Sequence, residues 1–164
     1  LGAELASKII RRMAMSNFEG KVLVQFIRWH TYMAKLARVP KLDNGHLCSA
    51  GRRLGIVSIP VALFGAADLL AKKIDMAPDQ LIYRNVTATI NRFLKAHCFQ
   101  RTEIIDPPLP VTGADLVAVL GIPPGRWVAD TIIFLKEEVA AGRIAGRQEA
   151  INAAKKLNRY KYGK

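Results

Sequence analysis

The stretch Thr112-Gly113-Ala114-Asp115-Leu116-Val117-Ala118-Val119-Leu120-Gly121-Ile122-Pro123-Pro124-Gly125 decides the fold class. Thr112, followed three residues later by Asp115, marks a helix start, because the hydroxyl and the carboxylate can satisfy the first unpaired N–H groups. Leu116, Val117 and Leu120 then recur at helical spacing, and Gly121 is the residue type that ends helices most readily. The turn Gly121–Gly125 leads into a second helical series, Val128, Ile132, Leu135 and Val139. Gly113 and Gly125 are expected to let the backbone turn tightly. Gly113, Asp115, Gly121, Pro124 and Gly125 therefore form a structural motif, helix–turn–helix in outline.

The same reading extends both ways. Downstream, the second helix stops near Gly142 and a last one runs from about Arg147, with Ala150, Ile151, Ala154 and Leu157. Upstream, residues 99–111 hold Pro107, Pro108 and Pro110 and little periodicity, which suggests a boundary. Before it, Pro78 and Asp79 open a helix carrying Ile82, Val86, Ile90, Phe93 and His97. Ser58 is expected to cap another, with Pro60 in its first turn and Val61, Leu63, Phe64, Ala67, Leu69 and Leu70 leading to Lys72 and Lys73. Asp43, Asn44 and Gly45 predict a turn ahead of a short helix near 46–54, weakened by Gly51 and Gly55. At the start, Leu5, Ile9 and Met13 form a stripe with Ile10 beside it. Ser16 and Glu19 make a capping box for one helix carrying Val22, Phe26, Trp29 and Met33, which should end before Pro40. The expected fold is all-α: two small helical bundles, 1–98 and 112–158, joined by the proline-rich linker 99–111 and followed by a basic tail, 159–164.

Composition agrees with a folded, RNA-binding class. A chain of 164 residues, 51% hydrophobic, can bury roughly 70% of its unfolded surface and needs no disulfide or metal. Cys48 and Cys98 are the only cysteines. They point to a reducing compartment, the cytoplasm or an organelle matrix, with the mitochondrion favoured for a ribosomal component. No apolar run reaches the about 18 residues of a membrane span, and no signal peptide is visible, so no membrane partner is expected. The first residue is Leu1 rather than Met, which suggests a missing N-terminal piece.

Lys and Arg total 25 against 13 Asp and Glu, a net charge of +12. Such an excess favours a polyanion. Lys8, Arg11, Arg12, Lys21, Arg28, Lys35 and Arg38 crowd residues 1–38. Arg143, Arg147, Lys155, Lys156, Arg159, Lys161 and Lys164 crowd the tail, where Tyr160 and Tyr162 could stack on bases. The expected RNA-binding residues are the tail cations, then Arg11, Arg12, Arg52 and Arg53, since phosphate contact asks for positive charge and little else.

Catalytic readings are thin. His30, His46 and His97 lie far apart, and neither they nor the cysteines have metal-ligand spacing, so no metal and no cofactor is expected. His46 and Cys48 are poorly set for a thiolate–imidazole pair. Trp29 and Trp127 read as core or half-buried anchors.

The motif Gly113-Ala114-Asp115-Leu116-Val117 through Leu120-Gly121-Ile122-Pro123-Pro124-Gly125 resembles the "G-x-D-L … G-x-x-P-G" signature of the C-terminal body in class II CCA-adding tRNA nucleotidyltransferases and bacterial poly(A) polymerases. The helix with Glu137 and Glu138, the turn Ala141-Gly142-Arg143-Ile144 and the closing helix Arg147 to Leu157 continue it. Upstream, Arg11-Arg12-Met13-Ala14-Met15-Ser16-Asn17 is similar to the family's "R-R-L-x-x-S-N". His30 falls where that helix carries His, and Arg52-Arg53-Leu54 and Ala66-Ala67-Asp68-Leu69-Leu70 resemble the next two elements. The likeness covers about residues 4–157. The 116–132 stretch also resembles a helix-hairpin-helix, but two prolines in its turn remove N–H donors that such a hairpin offers to phosphate.

The resemblance implies a body and tail that hold the acceptor and T arms of tRNA by shape and backbone. It also implies what is absent: the family's catalytic head, where an Asp-x-Asp pair holds two metal ions, has no counterpart here. The expected function is an RNA-binding module that does not catalyse nucleotide transfer as given. The alternative is a structural RNA-binding component of a large ribonucleoprotein such as a mitochondrial ribosome, with ribosomal RNA and other proteins as partners. An enzyme fragment whose head lies upstream, and a purely protein-binding adaptor, are the remaining readings.

Overall fold

The computed structural model describes the backbone of residues 2–75 and 80–161 and the side chains of residues 2–71 and 81–158. Its described residues form helices and no strand: α1 (Gly2–Arg12), α2 (Asn17–Trp29), α3 (Tyr32–Leu36), α4 (Asn44–Leu54), α5 (Ser58–Asp75), α6 (Gln80–Phe99), α7 (Gly113–Leu120), α8 (Arg126–Ala140) and α9 (Arg147–Lys161). A 3-10 turn, Gly55–Val57, lies between α4 and α5, and a π-helical turn, Arg101–Ile105, follows α6. The all-α expectation holds. The helix start at Pro78 and Asp79 lies outside the described residues.

The chain divides into two compact units, one of residues 1–42 and 50–99, the other of residues 43–49 and 100–164. The first buries Met33, Leu36, Leu54, Val57, Val61, Ala62, Val86, Ile90, Phe93 and Ala96, where α3, α5 and α6 meet. The second centres on Val111, Leu116, Trp127, Leu135, Ile144, Ala150, Ile151 and Ala154, contributed mainly by α7, α8 and α9. Segment 99–111 is more than a connection. Ile104, Ile105, Pro107 and Val111 are buried, the Cys48 thiol donates to the Ile105 carbonyl, and Lys136 pairs with Asp106. The prolines suppress helical periodicity while leaving apolar side chains free to pack.

Local signals read correctly where they are self-contained. Ser16 accepts from the Glu19 N–H while the Glu19 carboxylate accepts from the Ser16 N–H, and those bonds hold the Glu19 carboxyl below its ordinary range. Thr112 and Asp115 form the same box at the start of α7, and Gly121 ends it in the left-handed region, φ 65°. Three expectations need correcting. The helix predicted from Ser16 towards Pro40 breaks at His30-Thr31. The His30 ring N–H donates to the Ile27 carbonyl at 2.7 Å, competing for the acceptor that Thr31 N–H would use in a continuing helix. Ser58 is no cap: it lies in helical conformation and its hydroxyl donates to the Gly55 carbonyl at 2.7 Å. Pro60 cannot donate to the Ile56 carbonyl, and the tightened 3-10 turn sits where that bond is lost. Finally, Gly125 is extended, at φ −172° and ψ −170°, a geometry any residue adopts, so it supplies no tight turn.

The expectation about membrane spans also changes. The helical run Asn44–Ala71 is long and apolar enough to cross a membrane by length and composition, with mean hydropathy 2.0 in its most apolar window. Gly51 lies within α4, and at Gly55, φ 53°, the α-helix gives way to the 3-10 turn, so helical structure continues through to α5 with that one interruption. Val57, Val61 and Ala62 are fully buried in the first unit, whereas Ile56, Ile59, Leu63 and Leu70 are exposed.

Two close approaches fix helix pairs. A Cβ at Gly20 would lie 2.7 Å from Ile10 Cγ2, so α1 and α2 pack at glycine distance. A Cβ at Gly45 would lie 2.7 Å from the Glu137 carbonyl oxygen, a backbone atom of α8 that cannot swing aside. Gly45→Ala is therefore expected to destabilise the second unit by about 1–3 kcal/mol, as overpacking does. Chemical unfolding followed by Trp127 fluorescence checks this, and an unchanged midpoint would show that α4 shifts freely on α8.

Candidate nucleic-acid interface

The sequence-predicted cations divide by what surrounds them. Arg143 and Arg147, both in the predicted set, are engaged by acids. The Arg143 guanidinium donates to both oxygens of Glu138, at 2.9 and 2.7 Å, and to Asp43 at 2.7 Å. Arg147 donates to Asp115 at 2.6 Å, the carboxylate that also closes the α7 capping box. Their first role is to fasten the second unit. Asp43 and Asp115 lie far off in the chain, and Glu138 faces Arg143 only because the chain turns after α8, so sequence spacing does not disclose this role.

The electrostatics follow from these contacts. Burial pushes the Asp43 carboxyl up. Hydrogen bonds from Arg143 and from the backbone and ring of His46 outweigh it and hold the group well below the usual carboxylate range. At Asp115 the Arg147 guanidinium is the largest influence, followed by the Thr112 N–H and hydroxyl, and again the carboxyl sits far below its ordinary value. Glu138, then Asp43, push Arg143 up, and Asp115 does the same to Arg147.

Lys155 and Lys156 are exposed on α9. Lys156 lines an open groove of about 610 Å³ with Phe134, Asn152 and Leu157, but Glu138 and Glu149 line it too, so its field is mixed. Arg159, Lys161 and Lys164 lie outside the described side chains. Arg12 is exposed at the end of α1, and Arg52 is exposed on α4.

The first unit holds the clearest cationic site. Arg11 of α1 joins Lys21 and Arg28 of α2 around a groove of about 320 Å³, completed by Ser7, Ser16, Asn17 and Gln25 as hydrogen-bonding groups. No acidic side chain lines it. Glu19 does not line it, and its ionised carboxylate is bonded to Ser16 at the edge of the groove. The sequence reading chose Arg11 and passed over Lys21 and Arg28. Their seven-residue spacing, two turns of one helix, was the available signal. Arg53 is elsewhere in the same unit. Its guanidinium carbon lies 5.8 Å from the Trp29 ring centre and 6.0 Å from that of Tyr32. Among the described residues no group of three or more His, Cys, Asp or Glu is placed to hold a metal ion.

In the structural motif, Gly113 serves close packing, since a Cβ there would lie 3.1 Å from Val128 Cγ1. Pro124 is exposed, and the neighbouring Pro123 carbonyl accepts the Trp127 indole N–H at 2.7 Å. The motif is packing machinery for the second unit.

Two outcomes are expected. Arg147→Gln lowers the thermal midpoint, whereas Arg11→Gln leaves it within a degree or so, as surface charges do; equal shifts would deny Arg147 its structural role. Asp43 and Asp115 titrate lower in the folded chain than the roughly 3.9 of an unfolded aspartate. Their stabilisation is therefore complete above that value and is lost as pH falls through the lower folded values. The thermal midpoint should hold level down to about pH 5 and drop below about pH 4. Asp43→Asn and Asp115→Asn should start lower and lose less on acidification, and an acid limb of full depth in both variants would exclude these pairs as its source.

A search of curated proteins and one of solved structures found no match. A family model described as tRNA nucleotidyltransferase domain 2 matches residues 71–154. The matched segment takes in the end of α5, all of α6, the π-helical turn, the motif Thr112–Gly125, α8 and the first half of α9. The α1–α2 groove lies outside it. Because the match spans just over half of the 164 residues, the protein belongs to the tRNA nucleotidyltransferase domain 2 family.

Proposed function

We propose that this chain is an RNA-binding module, with tRNA as its first candidate partner, and that by itself it does not transfer nucleotides. The observation that carries the reading is the α1–α2 groove, where Arg11, Lys21 and Arg28 surround hydrogen-bonding side chains and no carboxylate intervenes. Phosphodiesters suit such a groove, because they need cations and donors without base recognition. The net charge of +12 supplies long-range attraction, and family membership supplies the link to tRNA. Against catalysis stands the sequence itself, which contains no Asp-x-Asp pair for metal-assisted nucleotidyl transfer. In a cell such a module belongs in a compartment where tRNA and free thiols coexist, the cytoplasm or an organelle matrix.

Binding of tRNA as a function of salt tests the proposal. The logarithm of the association constant should fall steeply and linearly with the logarithm of salt concentration. Replacing Arg11, Lys21 and Arg28 together by Gln should flatten that slope by roughly 2–3 units, near one for each phosphate no longer neutralised. Absence of binding at about 50 mM salt, where phosphate contacts are strong, would sink the reading. Incubation with tRNA, CTP, ATP and magnesium should add no nucleotide, and any addition would overturn the non-catalytic part.

A further inference from the structure

The α2 helix carries the groove cations on one face and, one residue beyond Arg28, an aromatic cluster on the adjacent face. Arg28 lines the groove, and Trp29 is the next residue, at the end of α2. The Trp29 indole is half-buried and meets Tyr32 edge to face, with ring centres 5.6 Å apart and planes 89° apart. Exposed Arg53 sets its guanidinium against both rings. Two rings and a delocalised cation thus lie in the same unit as the groove, and the succession of Arg28 and Trp29 keeps them within the reach of a strand that bends round α2.

That combination discriminates between states of a polynucleotide. Phosphates are present on every strand, so the groove alone would accept a duplex. A duplex keeps its bases stacked inside and gives an aromatic surface nothing to stack on. An unpaired segment offers free base faces, which stack on aromatic rings and on guanidinium planes. We infer that the first unit holds an unpaired RNA segment, its phosphates along Arg11, Lys21 and Arg28 and one base against the Trp29–Tyr32–Arg53 cluster. The inference rests on the RNA-binding reading above and narrows it to the state of the strand.

Fluorescence titration and anisotropy on the full chain test it. The probes are an unstructured RNA strand of about 12 nucleotides, within the usual site sizes, and the duplex it forms with its complement. The chain has 2 tryptophans, and Trp127 is buried in the second unit, so the difference between the parent chain and Trp29→Phe isolates the Trp29 signal. The single strand should quench Trp29. That quenching should vanish in Trp29→Phe, which keeps a ring and binds nearly as well. Trp29→Leu should bind the strand roughly ten-fold more weakly with duplex binding unchanged. Should Trp29→Leu fail to melt cooperatively, the Trp29→Phe comparison decides alone. A duplex bound as tightly as the strand, or a strand bound without quenching Trp29, overturns the inference and leaves RNA binding standing. Failure of both probes to bind at low salt overturns both.

Discussion

The Asp115 carboxylate is the constraint on which the second unit turns. One of its oxygens accepts from the Thr112 N–H and hydroxyl and so sets where α7 begins. The other accepts from Arg147 at the start of α9. The two helices therefore share an anchor, and the core of Leu116, Trp127, Leu135 and Ala150 fills around it. A carboxylate used twice must stay ionised, and its donors see to that. Asp43 repeats the arrangement, accepting from the His46 N–H as a helix cap does and from Arg143 across the unit.

This use of acids explains the distribution of free charge. The second unit commits two of its arginines to internal carboxylates, and its open groove mixes both signs. In the first unit, Glu19 is closed into a capping box and the groove cations face solvent. The groove of the first unit, which no acidic side chain lines, is therefore a place with positive charge to offer a polyanion. The family match falls mostly on the other unit. The helix–turn–helix motif and the cationic groove thus have separate jobs, one holding the fold together and one facing outward.

How much of this could be read from sequence depended on range. The capping boxes at Ser16 and Thr112 and the stop at Gly121 were legible because every group involved lies within four residues. The break after Trp29 was not, since helical spacing continues through His30, and only the ring's bond to Ile27 reveals the competition. The fates of Arg143 and Arg147 were hidden because Asp43 and Asp115 are 100 and 32 residues away, and because Glu138, only five residues from Arg143, reaches it across a turn rather than along one helix. A count of cations cannot distinguish a fastened guanidinium from a free one. Lys21 and Arg28 were visible as charges but not as a site, because a groove takes two helices and sequence spacing describes one.

Leu5 and Ile9 of α1, with Met13 just beyond it, form the apolar stripe that marks this helix in the sequence. These three side chains are 59, 47 and 65% exposed, while Ala6 is buried. Lys8, Arg11 and Arg12 share that helix and are exposed too. At low ionic strength the net positive charge keeps copies of the molecule apart. Added salt shortens the reach of that repulsion to about 10 Å at 0.1 M and about 3 Å at 1 M, and the apolar stripes can then meet. The salt that screens the charge of this protein is therefore also what removes the barrier between its apolar stripes.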